Sequence, residues 1–182
     1  YGLEIGSHRW FVKIATTSAA RESFHSALRF HDAVEHPTVV RPVMADVEAA
    51  VLVFPWLDGD VLNRATVGGS DRSALSRFRR RPVAEILRAI TDVLDAHRAI
   101  EVHGFVAVDF YDGSLIYDFE ASRMHLIDLD ECRPGPFTVP EDRMPGSRSF
   151  MAPEEWHHGS TIDWRTTVFG LGRAIDHLLR SD

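Results

Sequence analysis

The sequence has only one cysteine, Cys132, among its 182 residues. A single thiol excludes a disulfide within the chain, so the expected compartment is a reducing one, the cytoplasm. No apolar run approaches the roughly 18 residues that a membrane-spanning helix needs. No basic and then apolar leader opens the chain either. We therefore expect neither a membrane partner nor a secretory route.

Positive charge is also scarce, with 20 Lys and Arg residues against 27 Asp and Glu and a formal net charge of −7. Because phosphate backbones bind basic surfaces, a nucleic-acid partner is not expected. One basic cluster, Arg77 with Arg79 to Arg81, is interpreted as a solvated loop ahead of a helix. The hydrophobic content of 45% suffices for one domain or for two small lobes around a cleft.

The first part of the chain is predicted to be mostly strands. The predicted strands cover 1–5, 9–15, 38–43 and 49–56, and a helix covers 19–34. The continuous apolar run 50–54 predicts a strand buried on both faces. Lys13 lies between apolar neighbours on the second strand. If its face lines a cleft, its ammonium is a point charge for a phosphate; the alternative is a lysine on the solvent side of the sheet.

The later part is predicted to be more helical. Pro82 suits a first helical turn, and an apolar stripe predicts a helix over 82–99. His97 and His103 are interpreted as packed or capping residues rather than ligands. The region 133–148 is rich in Pro and Gly and is predicted to be a loop, and a last helix is predicted over 163–179.

Between these helices, the apolar runs 114–117 and 124–127 predict a β-hairpin with acids at its ends. Asp109 and Asp112 precede the first arm, and Asp128 and Asp130 follow the second. Pairing of the arms would bring both acidic groups to one end of a small sheet. Such carboxylates repel each other unless a cation lies between them, and Mg²⁺ with a phosphate is the usual partner. The alternative is a solvated acidic turn.

The order of these elements resembles the protein-kinase-like superfamily, of the small bacterial Ser/Thr kinase-like or aminoglycoside-phosphotransferase-like type. The strand around Lys13 resembles the V-A-I-K strand of that family. Further segments match its turn after helix C, its hinge, H-R-D, D-F-G, the end of its activation segment and the buried helix behind it. These segments are, in the same order, 36–40, 52–57, 107–109, 128–130, 146–154 and 168–172.

The resemblance implies an α+β, two-lobed fold that is shortened at both ends relative to the family. Its N-lobe, a small antiparallel sheet with one helix, would cover 1–58. Its mainly helical C-lobe, with the acidic hairpin, would cover 59–182. The implied cofactors are ATP and Mg²⁺. The implied activity is transfer of the γ-phosphate to a hydroxyl of a protein Ser/Thr or of a small molecule.

The resemblance also assigns roles to individual residues. Lys13 would bind the phosphates, Asp109 would be the general base, and Asp128 would hold Mg²⁺. The hinge residues that would bind adenine are Phe54, Pro55, Trp56 and Leu57.

The sequence departs from the family at several of its functional positions. The asparagine for the second metal is replaced by Ser114, for which Asp112 or Asp130 are the candidate substitutes. No glycine-rich loop is visible. The helix glutamate that should pair with the lysine falls at Ala27, and the available acid, Glu22, lies more than one turn earlier.

A further departure is Val108, which stands where the family has the arginine of H-R-D. We therefore do not expect switching by phosphorylation of Ser147 or Ser149. These departures keep open a pseudokinase, a nucleotide-binding or scaffolding module without turnover. A metal hydrolase is a third alternative, although no H-E-x-x-H or similar ligand spacing occurs.

Overall fold

The computed structural model describes residues 1–140 and 144–180. Within them the fold is mixed, with antiparallel sheets and four α-helices, as the α+β prediction requires. The helices are α1 Ser18–Ala33, α2 Ser73–Arg79, α3 Val83–Val102 and α4 Trp164–Leu179. The strands are β1 Gly2–Ile5, β2 His8–Ile14, β3 Met44–Asp46, β4 Val51–Pro55, β5 Asp60–Val61, β6 Arg64–Thr66, β7 Gly69–Asp71, β8 Phe105–Val106, β9 Leu115–Asp118, β10 Arg123–Leu126, β11 Arg133–Pro134, β12 Phe137–Thr138 and β13 Thr161–Ile162.

The largest sheet has the strand order β1-β2-β4-β3 and places Lys13 opposite Leu52. The two strands expected at the start of the chain are thus confirmed as β1 and β2, which pair as a hairpin. The expectation that the run 50–54 is buried on both faces is wrong. Leu52 and Phe54 are buried, whereas Val51, Val53 and Pro55 are only half-buried. Burial alternates because one face of this sheet packs on α1 and the other faces solvent.

The strand expected over 38–43 is also wrong, since the described strand β3 begins only at Met44. Residues 38–40 instead extend the edge of β10. Leu126 donates its N–H to the carbonyl of Thr38, and Val40 donates to the carbonyl of Leu126. Pro42 has no N–H and cannot continue this pairing with β10. The chain then joins the largest sheet, where β3 pairs with β4.

Helix α1 begins at a capping residue, Thr17, whose hydroxyl accepts a hydrogen bond from the N–H of Ala20. Its buried face consists of Phe24, Ala27, Phe30 and His31. Phe24 and Ala27 pack with Leu52 and Phe54 of β4 in a shared apolar cluster. The face that α1 turns toward the sheet therefore carries no carboxylate.

The loop expected for the basic cluster is confirmed for Arg80 and Arg81, which lie between α2 and α3, and is wrong for Arg77 and Arg79, which belong to α2. Their helix forms because Ala74, Leu75 and Phe78 are buried on its other side. Arg77 donates to Asp60, and its guanidinium lies 3.9 Å from the ring centroid of Phe119. The positive charge of Arg77 is therefore paired within the chain.

The acidic hairpin is confirmed as β9 and β10, with Leu115 opposite Leu126. Helix α3 packs against it, and the main apolar core lies between α3, the hairpin and α4. The roles expected for His97 and His103 are confirmed too. His97 is buried, His103 is the C-cap residue of α3, and each ring Nδ1 lies 2.8 Å from the carbonyl oxygen four residues earlier.

A close approach of two backbones at Gly59 gives a stability prediction. A Cβ at this position would lie 2.7 Å from the Ile116 methyl and 2.9 Å from the Tyr117 carbonyl oxygen. Because a backbone atom cannot move aside cheaply, Gly59→Ala should lower the free energy of unfolding by about 1–3 kcal/mol in urea denaturation. Gly68→Ala is the matched control, since no atom lies within 4 Å of its Cβ position. Equal midpoints for the two variants would contradict this packing.

In the parts of the chain that are described, none of the helices combines the length and apolar character needed to cross a bilayer. The division into lobes at residues 58 and 59 stays a prediction.

Candidate active site

A cleft of about 450 Å³ opens between β2, the first turns of α1 and the two acidic segments that flank the hairpin. Its polar lining includes Lys13, Asp109, Asp128, Asp130 and Glu131. Its apolar lining includes Phe11, Phe24 and Leu52. The fold thus collects side chains that lie more than 110 positions apart in the sequence.

Lys13 lies at the centre of this arrangement. Its Nζ donates to Asp128 Oδ1 at 2.6 Å and to Asp130 Oδ2 at 2.8 Å. Burial acts to lower the pKa of Lys13, but Asp130 and Asp128 outweigh it and raise that pKa. Lys13 is therefore an ammonium at the wall of the cleft, and the alternative of a lysine on the solvent side of the sheet is wrong.

Lys13 is also the only lysine in the sequence, and the other 19 of its 20 Lys and Arg residues are arginines. An ammonium is compact and can donate in three directions, whereas a guanidinium is a planar fork. Two carboxylates from one short segment, approached from one side, suit the ammonium. A lysine that occurs once in a chain rich in arginine is a feature of the sequence that itself points to a specific role for Lys13.

The two aspartates at the floor of the cleft have unusual backbones. Asp109 has φ 56° and Asp128 has φ 59°, both in the left-handed region that non-glycine residues rarely adopt. Such backbones cost of order 1 kcal/mol or more and persist only where the surroundings impose them. Asp128 lies two residues after the end of β10, and its left-handed backbone turns the chain there and directs the carboxylate back toward β2.

Asp109 Oδ1 accepts a hydrogen bond from the N–H of Ser147 at 3.2 Å. Burial raises the pKa of the Asp109 carboxyl to about 6, and the charges of Asp128 and Glu131 act in the same direction. The backbone before it is held by Thr167 of α4, whose hydroxyl accepts from the N–H of Ala107 and donates to its carbonyl. Helix α4 thereby fixes the segment that presents Asp109.

Asp112 and Ser114 are buried and are not among the residues that line the cleft. Asp112 accepts a hydrogen bond from Asn63 at 2.9 Å. Its other oxygen lies 3.0 Å from His177 Nδ1, but outside hydrogen-bonding geometry. The turn 112–114 therefore points these two side chains into the protein, toward α4, rather than toward Asp128. Of the candidate metal ligands, the fold brings only Asp128 and Asp130 to Lys13.

The expected hinge residues lie at the end of β4 and directly after it, and none of them lines the described cleft. Phe54 is buried, with its ring centroid 6.0 Å from Lys13 Nζ. Trp56 is 42% exposed, and its ring lies 4.8 Å from the Arg9 guanidinium. The adenine-binding role of Phe54, Pro55, Trp56 and Leu57 stays a prediction.

Two further residues of the cleft were missed by the sequence comparison. Phe11 lies on the same face of β2 as Lys13, which the two-residue period of a strand indicates. Glu131 accepts a hydrogen bond from Ser23 of α1 and pairs with Arg133 at 2.6 Å. No local pattern indicates that Glu131 lies in the cleft, because its partner on α1, Ser23, is 108 positions away in the sequence.

The site has few features of a preformed metal cage. Among the described residues no group of three or more His, Cys, Asp or Glu side chains is arranged to hold a metal ion. Mg²⁺ does not need one, because it commonly binds one or two carboxylates together with substrate phosphates and water. Asp128, half exposed at the cleft, is a donor of that kind.

Comparison with known proteins gives evidence on the fold. No family model matches the sequence, and no curated protein matches it either. Among solved structures, the kinase PK-1 of Cydia pomonella granulovirus is similar, with a TM-score of 0.70 and 16% sequence identity. The alignment covers 96% of this chain and 60% of that chain, so this chain spans about 60% of the viral kinase's length. The likeness shows that the chain has a kinase-like fold.

Proposed function

We propose that the chain is an ATP- and Mg²⁺-dependent phosphotransferase that acts on a hydroxyl group of a protein Ser/Thr or of a small molecule. One observation carries the proposal. The only lysine of the chain is bonded to Asp128 across a cleft that also contains Asp109. A cation for phosphates, a carboxylate for a metal and a second carboxylate for an acceptor are the groups that phosphoryl transfer requires.

The chain's own residues divide the work as follows. Lys13 binds the phosphate oxygens and stabilises the charge that is spread over them in the transition state. Asp109 accepts a hydrogen bond from the acceptor hydroxyl, aligns its oxygen and takes its proton. Burial of Asp109 raises its pKa to about 6, which is closer to the working pH than that of an ordinary aspartate.

Mg²⁺ fits beside Asp128, because its carboxylate faces the cleft and a single carboxylate with phosphate oxygens is a usual magnesium site. Asp128 would hold the ion, which would neutralise charge on the nucleotide phosphates. On binding, the Asp128 carboxylate would exchange part of its contact with Lys13 for the ion. Lys13 would then be free to contact phosphate.

A pseudokinase is the second candidate, and the positions of Asp112 and Ser114 favour it. Both were expected near a second metal, yet both are turned into the protein. A cleft that Asp112 and Ser114 do not line is consistent with nucleotide binding without turnover.

Nucleotide binding is the first test. We expect ATP with Mg²⁺ to raise the melting temperature, and Lys13→Ala to remove most of that shift, because the phosphate contact is lost. Lys13→Arg retains the charge in a different geometry and should restore only part of the shift. Differential scanning fluorimetry with and without Mg²⁺ measures this.

Arg29→Ala is the matched control, since Arg29 is an exposed cation on α1 outside the described cleft. It should keep the whole shift. Phosphate transfer or ATP hydrolysis that disappears in Asp109→Asn would support the enzyme. Binding without any turnover would support the pseudokinase. If ATP binds neither with nor without Mg²⁺, both the phosphotransferase and the pseudokinase proposals are overturned.

A further inference from the structure

The helix beside Lys13 provides no anchor for it. The buried side chains of α1 are Phe24, Ala27, Phe30 and His31. Its two acids, Glu22 and Asp32, are exposed. The described ion pairs of Lys13 are those with Asp128 and Asp130. Both partners come from the segment after β10, so the lysine is held by one side of the cleft only.

The two partners differ in their surroundings. Asp128 is 50% exposed and faces the cleft, whereas the Asp130 side chain is 28% exposed. The second oxygen of Asp130, Oδ1, is buried without a hydrogen-bond partner. Leu129 between them is buried in the main core and fixes the direction of both neighbours. Asp128 is thus placed to exchange Lys13 for a ligand, and Asp130 is placed to keep it.

We infer that Asp130 is the positioning residue for Lys13, in place of a carboxylate from the helix. This role rests on the proposed phosphotransfer function, although the contact itself does not. When Asp128 turns to a metal ion, the 2.8 Å contact to Asp130 remains and keeps the ammonium at the cleft wall. The anchor lies in the same segment as the metal ligand. Displacement of α1 therefore does not remove it, and Glu22 has no part in it.

A double-mutant cycle without nucleotide tests the contact. Asp130→Asn in the wild-type protein should raise the unfolding equilibrium constant about tenfold in urea denaturation, because a partly buried charge pair is lost. In a Lys13→Met background the same change should instead stabilise the protein, because it removes one of several carboxylates that no longer face a cation. A structural role unrelated to Lys13 would give equal effects in the two backgrounds and would overturn the inference.

Labelling of the single lysine gives a second readout. An amine-reactive acylating reagent can modify Lys13 and the α-amino group alone, and mass spectrometry separates the two sites. Asp130→Asn should increase the labelling rate of Lys13 by about threefold or more, because one hydrogen bond that holds the amine is removed. Glu22→Gln, the matched control on α1, should leave the rate unchanged. A rate that rises in Glu22→Gln and not in Asp130→Asn would overturn the inference.

Magnesium distinguishes positioning from metal binding. With ADP as the probe, Asp128→Asn should abolish the extra thermal shift that Mg²⁺ adds to that of ADP alone, and Asp130→Asn should retain it. Loss of this increment in both variants would make Asp130 a metal ligand and overturn the inference. If ADP gives no shift in any variant, the proposed function fails, while the cycle and the labelling still decide whether Asp130 holds Lys13.

Discussion

Asp109→Asn is expected to reduce phosphate transfer by about 10²–10⁴-fold, the range that a positioned general base contributes. An amide has almost the shape of the carboxylate but cannot take the proton of the acceptor hydroxyl. Asparagine also tolerates the left-handed backbone, φ 56°, that residue 109 adopts. The loss should therefore be chemical rather than conformational, and the thermal shift caused by MgATP should persist.

Steady-state kinetics and differential scanning fluorimetry on the same preparations measure the two quantities. Asp58→Asn is the control, because Asp58 is exposed and its ion pair among the described residues, with Arg9, lies on the protein surface. Its turnover should equal that of the wild type. Full activity in Asp109→Asn would place the general base elsewhere, and loss of the thermal shift in the same variant would assign Asp109 to nucleotide binding.

The second large effect concerns acid stability and His97. This ring is fully buried, and burial lowers its pKa to about 4 from 6.5. The unfolded chain therefore binds a proton at a higher pH than the folded one, and the stability from neutral His97 is lost as the pH falls from about 6.5 toward 4. Replacing His97 by Phe should flatten this acid loss by about 3 kcal/mol, since one pKa unit is worth about 1.4 kcal/mol.

Urea denaturation at about pH 7 and at about pH 4 measures the difference. His103→Phe is the matched control on the same helix. His103 makes the same 2.8 Å contact to a carbonyl one turn earlier but is exposed. Burial also lowers the pKa of His31 to about 4. Because both variants retain His31, its contribution cancels in the comparison. Equal pH dependence in the wild type and in His97→Phe would show that His97 is not the group responsible.

Local patterns in the sequence identified most of the elements that surround the site. The β-rich run of β2, the apolar stripe of α3 and the apolar runs of the two hairpin arms are each local patterns that predict their element. Helix α2 and the short strands β6 and β7 were not predicted, because a seven-residue helix and three-residue strands are too short to show a periodic pattern. The strand predicted over 38–43 is wrong for another reason. Their β-forming composition is real, but their hydrogen bonds go to β10.

By itself the sequence determined which residue types are available for chemistry. One lysine, on a strand, and aspartates at the ends of a hairpin are local facts that no folding step changes. Only the tertiary structure decided which of these side chains meet. Asp112 and Asp130 were equivalent candidates in the sequence, yet one is buried beside Asn63 and the other bonds to Lys13. The physical reason is that the direction of a side chain at a turn depends on the backbone conformation there. The packing of distant segments, α1, α4 and β2, imposes that conformation.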